Sequence, residues 1–358
     1  MQLLEKHRQE TQRLSAPAEL TFKAILSGGR LFLGGQNRAW IEEGDGRAGG
    51  LTGIRTLASA EGVREGDAVW LSYSSGDYSQ QLSTAKRLEN KGCLVFAFGP
   101  HPPDKPIGFT HWMESFTPWP DDEHLGLMGN ILSLWSLTAE LAAYASRQGR
   151  TFAFYQSDSI EGARERNHLF EGIVFHDGVP SMAPVPAGVL SNAYLDYIKA
   201  MLDEISASEM GKLMNTGQEM GRRAAAGQPA VLTGIGHMLS YMVTGKTEPF
   251  RYLEIHTQRK TLESALGRDG YLVFLGYVAV PLDLWRSARH AGAKAVWIVA
   301  PLPNEVDFKQ FGDVVINQHW SIGDCAVTVP GYDIRILPPS GIAQLFIYEV
   351  MMHAAAAR

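Results

Sequence analysis

The stretch DAVWLSYSSGDYSQQL, residues 67–82, ends an apolar run in a crowd of hydroxyls. Ser72, Ser74, Ser75 and Ser79 surround Gly76, just ahead of a segment of helical composition. A phosphate dianion needs several neutral donors converging without bulk, and a helix N-terminus adds backbone N–H groups and a favourable dipole. The same residue types also build capped turns with no ligand, and Asp77 at that helix start opposes a dianion. Further candidates sit at glycine turns. Gly35 and Asn37 lie in GGRLFLGGQNRAW (28–40), where the Asn37 amide can bind a hydroxyl but is no base. His237 lies in GIGHM (234–238). Its imidazole either carries a proton near neutral pH or bonds the backbone of a helix start.

Positioning these residues requires strands that end where they stand. GGRLFLGGQNRAW (28–40) and GQPAVLTGIGHMLSY (227–241) are each a short apolar run leading into a glycine pair. GDAVWLSYSSGDYSQQLSTAKRLENKGCLVFAFGP (66–100) and DGYLVFLGYVAVPLDLWRSARHAGAKAVWIVAP (269–301) each read strand, loop, helix, Gly, strand, Pro. Strand–helix–strand units make right-handed crossovers and a parallel sheet. Two sets of them predict an α/β chain of two tandem doubly wound parallel-sheet domains. The predicted division is 1–150, an irregular connection over 151–190 containing Pro180, Pro184 and Pro186, and 191–358. Apolar helices at 122–148 and 338–357 close the two halves. In such sheets ligands bind at the carboxyl ends of the strands, where Gly35, Ser72, Gly234 and Gly276 fall.

Bulk properties narrow the function. The 358 residues carry a net charge of −6 without a basic cluster, which argues against nucleic acid or an anionic membrane as partner. Cys93 and Cys325 sit in apolar segments and read as buried thiols, and the histidines lack metal-ligand spacing, so no metal and no cofactor are expected. GGQNRA and GIGHML both fail the dinucleotide fingerprint. The charged first residues show no signal core, and no apolar run reaches a membrane span, so the expectation is a cytoplasmic protein.

Together these segments resemble the sugar isomerase (SIS) domain family, of flavodoxin-type fold, over roughly 25–100 and 227–352. Ser75–Gly76–Asp77 is similar to the Ser-Gly-Glu of its phosphate loop, although Tyr73 and Tyr78 stand where Ser and Thr are usual. EEGDGRAGGL (42–51), GIGHM and the ending FGDVVINQHW…PPSGIAQLF resemble one branch of that family. The resemblance implies a sugar phosphate held by Ser72, Ser74, Ser75, Gly76 and Ser79, with isomerase or lyase chemistry by general acid/base transfer. It implies a glutamate as the carboxylate that moves the proton, Glu43 with Glu42 beside it, while the spacing lets Arg47 either neutralise phosphate or pair with Glu43 at i,i+4. Asp324 reads as a turn cap, and Ser340 as a helix N-cap near the ligand. The repeat suggests an internal pseudo-dimer sharing a pocket, and the helical ends suggest a homodimer. The second-half counterpart of the serine loop, GYVAVPLD (276–283), lacks any Ser or Thr, which keeps a non-catalytic sensor or structural role open.

Overall fold

The computed structural model describes residues 2–73, 79–99, 111–114, 123–176, 178, 181–243, 249–253, 259–277, 282–300 and 314–357. They form two compact units, Met1–Lys199 with Gly323–Pro339, and Ala200–Ile322 with Ser340–Arg358.

The first unit opens with helices α1 (Gln2–Glu10) and α2 (Ser15–Leu26), followed by β1 (Leu31–Gly35), α3 (Arg38–Gly44), β2 (Ile54–Thr56) and β3 (Ala68–Ser72). Then come α4 (Ser79–Asn90), β4 (Leu94–Gly99), β5 (His111–Glu114), α5 (Glu123–Arg147), α6 (Ala163–Phe170) and α7 (Val189–Ser208), the last of which carries the chain into the second unit. Its sheet is wholly parallel in the order β2-β1-β3-β4-β5. Both faces are covered, so the strands read as continuous apolar runs; every residue of β3 is buried. Asp67, itself buried, staples the amino ends of β1 and β3. It accepts from the Arg30 backbone and guanidinium (2.9 and 2.6 Å) and from the Arg64 amide (2.9 Å). Burial works to raise its pKa, but those donors outweigh it and the carboxyl titrates below its usual range.

The second unit contains α8 (Met210–Ala225), β6 (Ala230–Gly234), α9 (Leu239–Met242), β7 (Arg251–Tyr252), α10 (Arg259–Leu266), β8 (Tyr271–Gly276), α11 (Leu282–His290), β9 (Lys294–Val299) and β10 (Val314–Asn317). Its sheet, also wholly parallel, runs β7-β6-β8-β9-β10, the same order as the first. The chain then returns to the first unit for the hairpin β11 (Val327–Thr328) and β12 (Arg335–Ile336), and ends in the second with α12 (Ser340–Ala356).

The division of the chain differs from the expected one in two places. The described residues of 151–190, expected to be an irregular connection, belong to the first unit, tied to it by the backbone bridge Leu51–Phe154 and internally by Phe152–Phe175. Helix α6 docks there by Arg166, whose guanidinium donates to Asp333 (2.9 and 3.1 Å), Phe154 O (2.7 Å) and Tyr332 Oη (3.2 Å), and lies over the Phe170 ring. Residues 323–339, expected in the second half, supply Tyr332 and Asp333 and so belong with the first unit. The proline-rich composition pointed to irregular backbone, and long-range pairing is what gives that backbone a place.

Helix α5 is long and apolar enough to cross a membrane by length and composition, but 94% of its most apolar window is buried inside the fold. A core helix passes the same test. Both cysteines are buried and free, as expected.

Candidate functional site

The carboxyl edge of the first sheet brings together residues from β1, α3, β3 and α5. Gly35 pairs in register with Ser72. It has φ +120, and a Cβ there would overlap the Ser72 carbonyl oxygen, so only glycine lets the two strand ends approach this closely. Asn37 caps α3, its Oδ1 accepting from the Trp40 amide at 3.2 Å. That bond gives the expected hydroxyl ligand a capping role through its Oδ1. Ser72 is fully buried, and its Oγ accepts from Asn130 Nδ2 at 3.0 Å. The same nitrogen lies 2.9 Å from the Tyr73 carbonyl oxygen, and the Asn130 carbonyl accepts from Trp40 Nε1 at 3.1 Å. Ser72, expected to hold phosphate, therefore anchors the strand end. The Tyr73 ring turns into the core beside Trp112 (centroids 5.6 Å apart), and burial pushes its phenol well above the usual range. Ser74, Ser75 and Gly76 lie outside the described residues, as does the side chain of Ser79, which opens α4.

Glu43 was expected to face a substrate. It is instead completely buried at the far end of α3, where its carboxylate accepts from Arg47 Nη1 (2.5 Å) and Trp135 Nε1 (3.2 Å). Arg47, also buried, reaches Asp324 Oδ2 at 3.0 Å through Nη2. The pairing of Glu43 with Arg47 matches the sequence reading, whereas Asp324, expected as a turn cap, is a member of a buried ion cluster. Burial pushes the Glu43 carboxyl up to about 7. Arg47 and Trp135 pull it down, but Asp324 adds to the push.

This elevation carries a pH dependence. A carboxyl raised in the folded state binds a proton that the unfolded chain, at the ordinary 4.5, has already lost. Its contribution is thus most favourable below pH about 4.5 and is lost progressively as pH rises towards about 7. A tenfold change in proton affinity is worth about 1.4 kcal/mol, so the loss across that window is about 3 kcal/mol. Glu43→Gln is expected to flatten this segment of the stability profile in denaturant titrations at stepped pH. A profile that keeps its slope in the variant excludes Glu43 as the group responsible.

The second unit places His237 in the half-buried turn just past β6, at that sheet's carboxyl edge. Around it the edge is filled by the unit's own side chains. Gln344 of α12 donates to Ile235 O at 2.8 Å and presses on Gly236. Gln318 donates to Gly276 O (2.5 Å) and Ile298 O (3.2 Å), and accepts from Trp320 Nε1 at 3.2 Å. Ser340 is the buried first residue of α12. Among the described residues, no cluster of His, Cys, Asp and Glu has the makings of a metal site. A cleft of about 420 Å³ near Lys23, Gly28, Arg64 and Gly92 opens at the opposite, amino edge of the first sheet. Its cations are engaged, Lys23 with Glu19 and Arg64 with the Gly28 carbonyl.

Sequence reasoning missed Asn130. The signal was present: one amide inside the otherwise apolar run GLMGNILSLWSL, where a buried polar group must find partners.

No protein-family model matches this chain, and no curated protein sequence does. Solved structures do match over nearly the whole length. A proposed phosphosugar isomerase from Silicibacter pomeroyi DSS-3 superposes with a TM-score of 0.52 at 11% identity, covering 99% of this chain and 94% of its own. Another, from Clostridium difficile 630, gives 0.50 at 10% identity, covering 99% and 92%. The chain shares their fold, two tandem doubly wound parallel-sheet domains of SIS-like, flavodoxin-type architecture. At these identities the likeness is one of fold, and a fold by itself does not fix the chemistry it carries.

Proposed function

We propose that this SIS-fold chain binds a phosphorylated sugar at the carboxyl edge of its first sheet. The observation that carries the reading is the convergence of Gly35, Ser72 and Asn130 there, which delivers the chain from a rigid strand end directly into the serine-rich segment. The donors in this reading are Ser74, Ser75, Gly76 and Ser79, with Ser72 as their anchor. The first-unit edge is the better candidate because Gln318 and Gln344 occupy the second. The finer reading is isomerase or lyase chemistry, with His237 kept as the candidate base that the sequence offers. The burial of Glu43 favours a second reading, ligand binding without turnover.

Thermal shifts against hexose and amino-sugar phosphates test this on wild type and Ser75→Ala. A ligand at about 100 times its dissociation constant adds roughly 2.7 kcal/mol of stability. The expected result is a shift with at least one phosphosugar that Ser75→Ala abolishes. Turnover assays on that sugar then separate enzyme from sensor. No shift with any member of the panel removes the phosphate cradle and leaves those serines as turn residues.

A further inference from the structure

Asn130 sits on α5 with 1% of its surface exposed, in a helix lined by Leu, Ile and Trp. Its Nδ2 is fully used, forked between Ser72 Oγ and the Tyr73 carbonyl. Its Oδ1 is buried with no donor among the described residues. An apolar core gains nothing from a carboxamide, since each of its buried polar atoms must find a partner or stand as a cost. Packing alone therefore gives no reason for Asn here; the fork does. One nitrogen fixes both the last side chain of β3 and the first carbonyl beyond it. The Asn130 backbone carbonyl, taking the Trp40 indole, ties the same point to α3. Because Ser72 Oγ accepts from Nδ2, its own proton is turned away from that nitrogen.

We propose that Asn130 is a positioning residue that locks the carboxyl end of β3 in the geometry the ligand site requires, at the expense of stability. The ligand arm of this proposal rests on the sugar-phosphate reading above, whereas the locking arm does not. Two variants test it. Asn130→Asp removes both donors at constant shape. The double variant Ser72→Ala with Asn130→Leu replaces the polar pair by apolar groups, which is near neutral or stabilising where shape is kept.

Hydrogen exchange of ligand-free protein is read over residues 68–73, with 230–234 of β6 as reference. Both variants are expected to exchange about tenfold faster over 68–73 alone, the loss of roughly one hydrogen bond. A merely structural role moves both segments together or neither, and either pattern overturns the proposal. Affinity for glucose 6-phosphate and glucosamine 6-phosphate is measured in parallel. The double variant is expected to keep its denaturation midpoint and bind about tenfold more weakly. If wild type binds the sugar and the double variant binds it equally well, the positioning role falls while the function stands. If wild type binds neither sugar, the sugar-phosphate reading falls for these ligands and exchange alone decides the lock.

Discussion

Replacing Arg47 with methionine is expected to cost the first unit about 3–5 kcal/mol, the penalty for stranding buried charge after one partner is removed. Arg47 is 1% exposed and touches two carboxylates, Glu43 at 2.5 Å and Asp324 at 3.0 Å. Methionine fills much of the volume but takes the shared guanidinium away from both carboxylates, and each then raises the other's pKa. The loss is therefore expected to shrink on acidification, as the carboxyls take up protons. Arg47→Lys keeps the charge but lacks the fork that serves two acids at once, so it should fall between wild type and methionine. Denaturant titrations at neutral and mildly acid pH measure all three. A methionine variant within 1 kcal/mol of wild type at neutral pH would mean that the cluster holds nothing together.

The second large effect is expected where α8 crosses α12. A Cβ at Gly217 would overlap the Met351 carbonyl oxygen and meet Ala354 Cβ at 2.9 Å. Gly221, one turn on, lies equally close to the Ala355 backbone. Helix propensity and packing predict opposite signs here. By propensity, Gly217→Ala gains about 1 kcal/mol; by contact, it forces two helix backbones apart and overpacking dominates, costing about 1–3 kcal/mol, with Gly217→Val at the upper end or beyond. Gly211→Ala is the control. It is exposed on the same helix, meets nothing within 4 Å, and should show the propensity gain alone. If both alanine variants stabilise, the helices are not in backbone contact.

Much of the architecture was legible locally. Runs such as AVWLS and YLVFLG are buried at every position, which is how strands covered on both faces must read. The glycine turns marked the strand ends correctly, because close approach of β1 to β3 demands the absence of a Cβ at Gly35. The closing helices also emerged near their expected bounds, Glu123–Arg147 and Ser340–Ala356. The site was less legible. In EEGDGRAGG the resemblance pointed to Glu43 as a substrate-facing carboxylate, although charged residues lie inside a protein when they are paired. Nothing local announces that Asp324, 277 positions away, completes a cluster that buries both Glu43 and Arg47.

The same reason divides what each level of description decided. The amino-acid sequence determined the α/β class, the parallel strands and the edge at which the strand-end glycines lie, because these follow from periodicity and turn chemistry within a few residues. Only the tertiary structure decided that Ser72 is an anchor, that Asn37 is a cap, and that Glu43 is sealed in the core. Those outcomes depend on which side chains the packed layers bring together, such as Asn130 across 58 positions to Ser72. A buried polar group is defined by the partners it finds, and the partners are supplied by the fold.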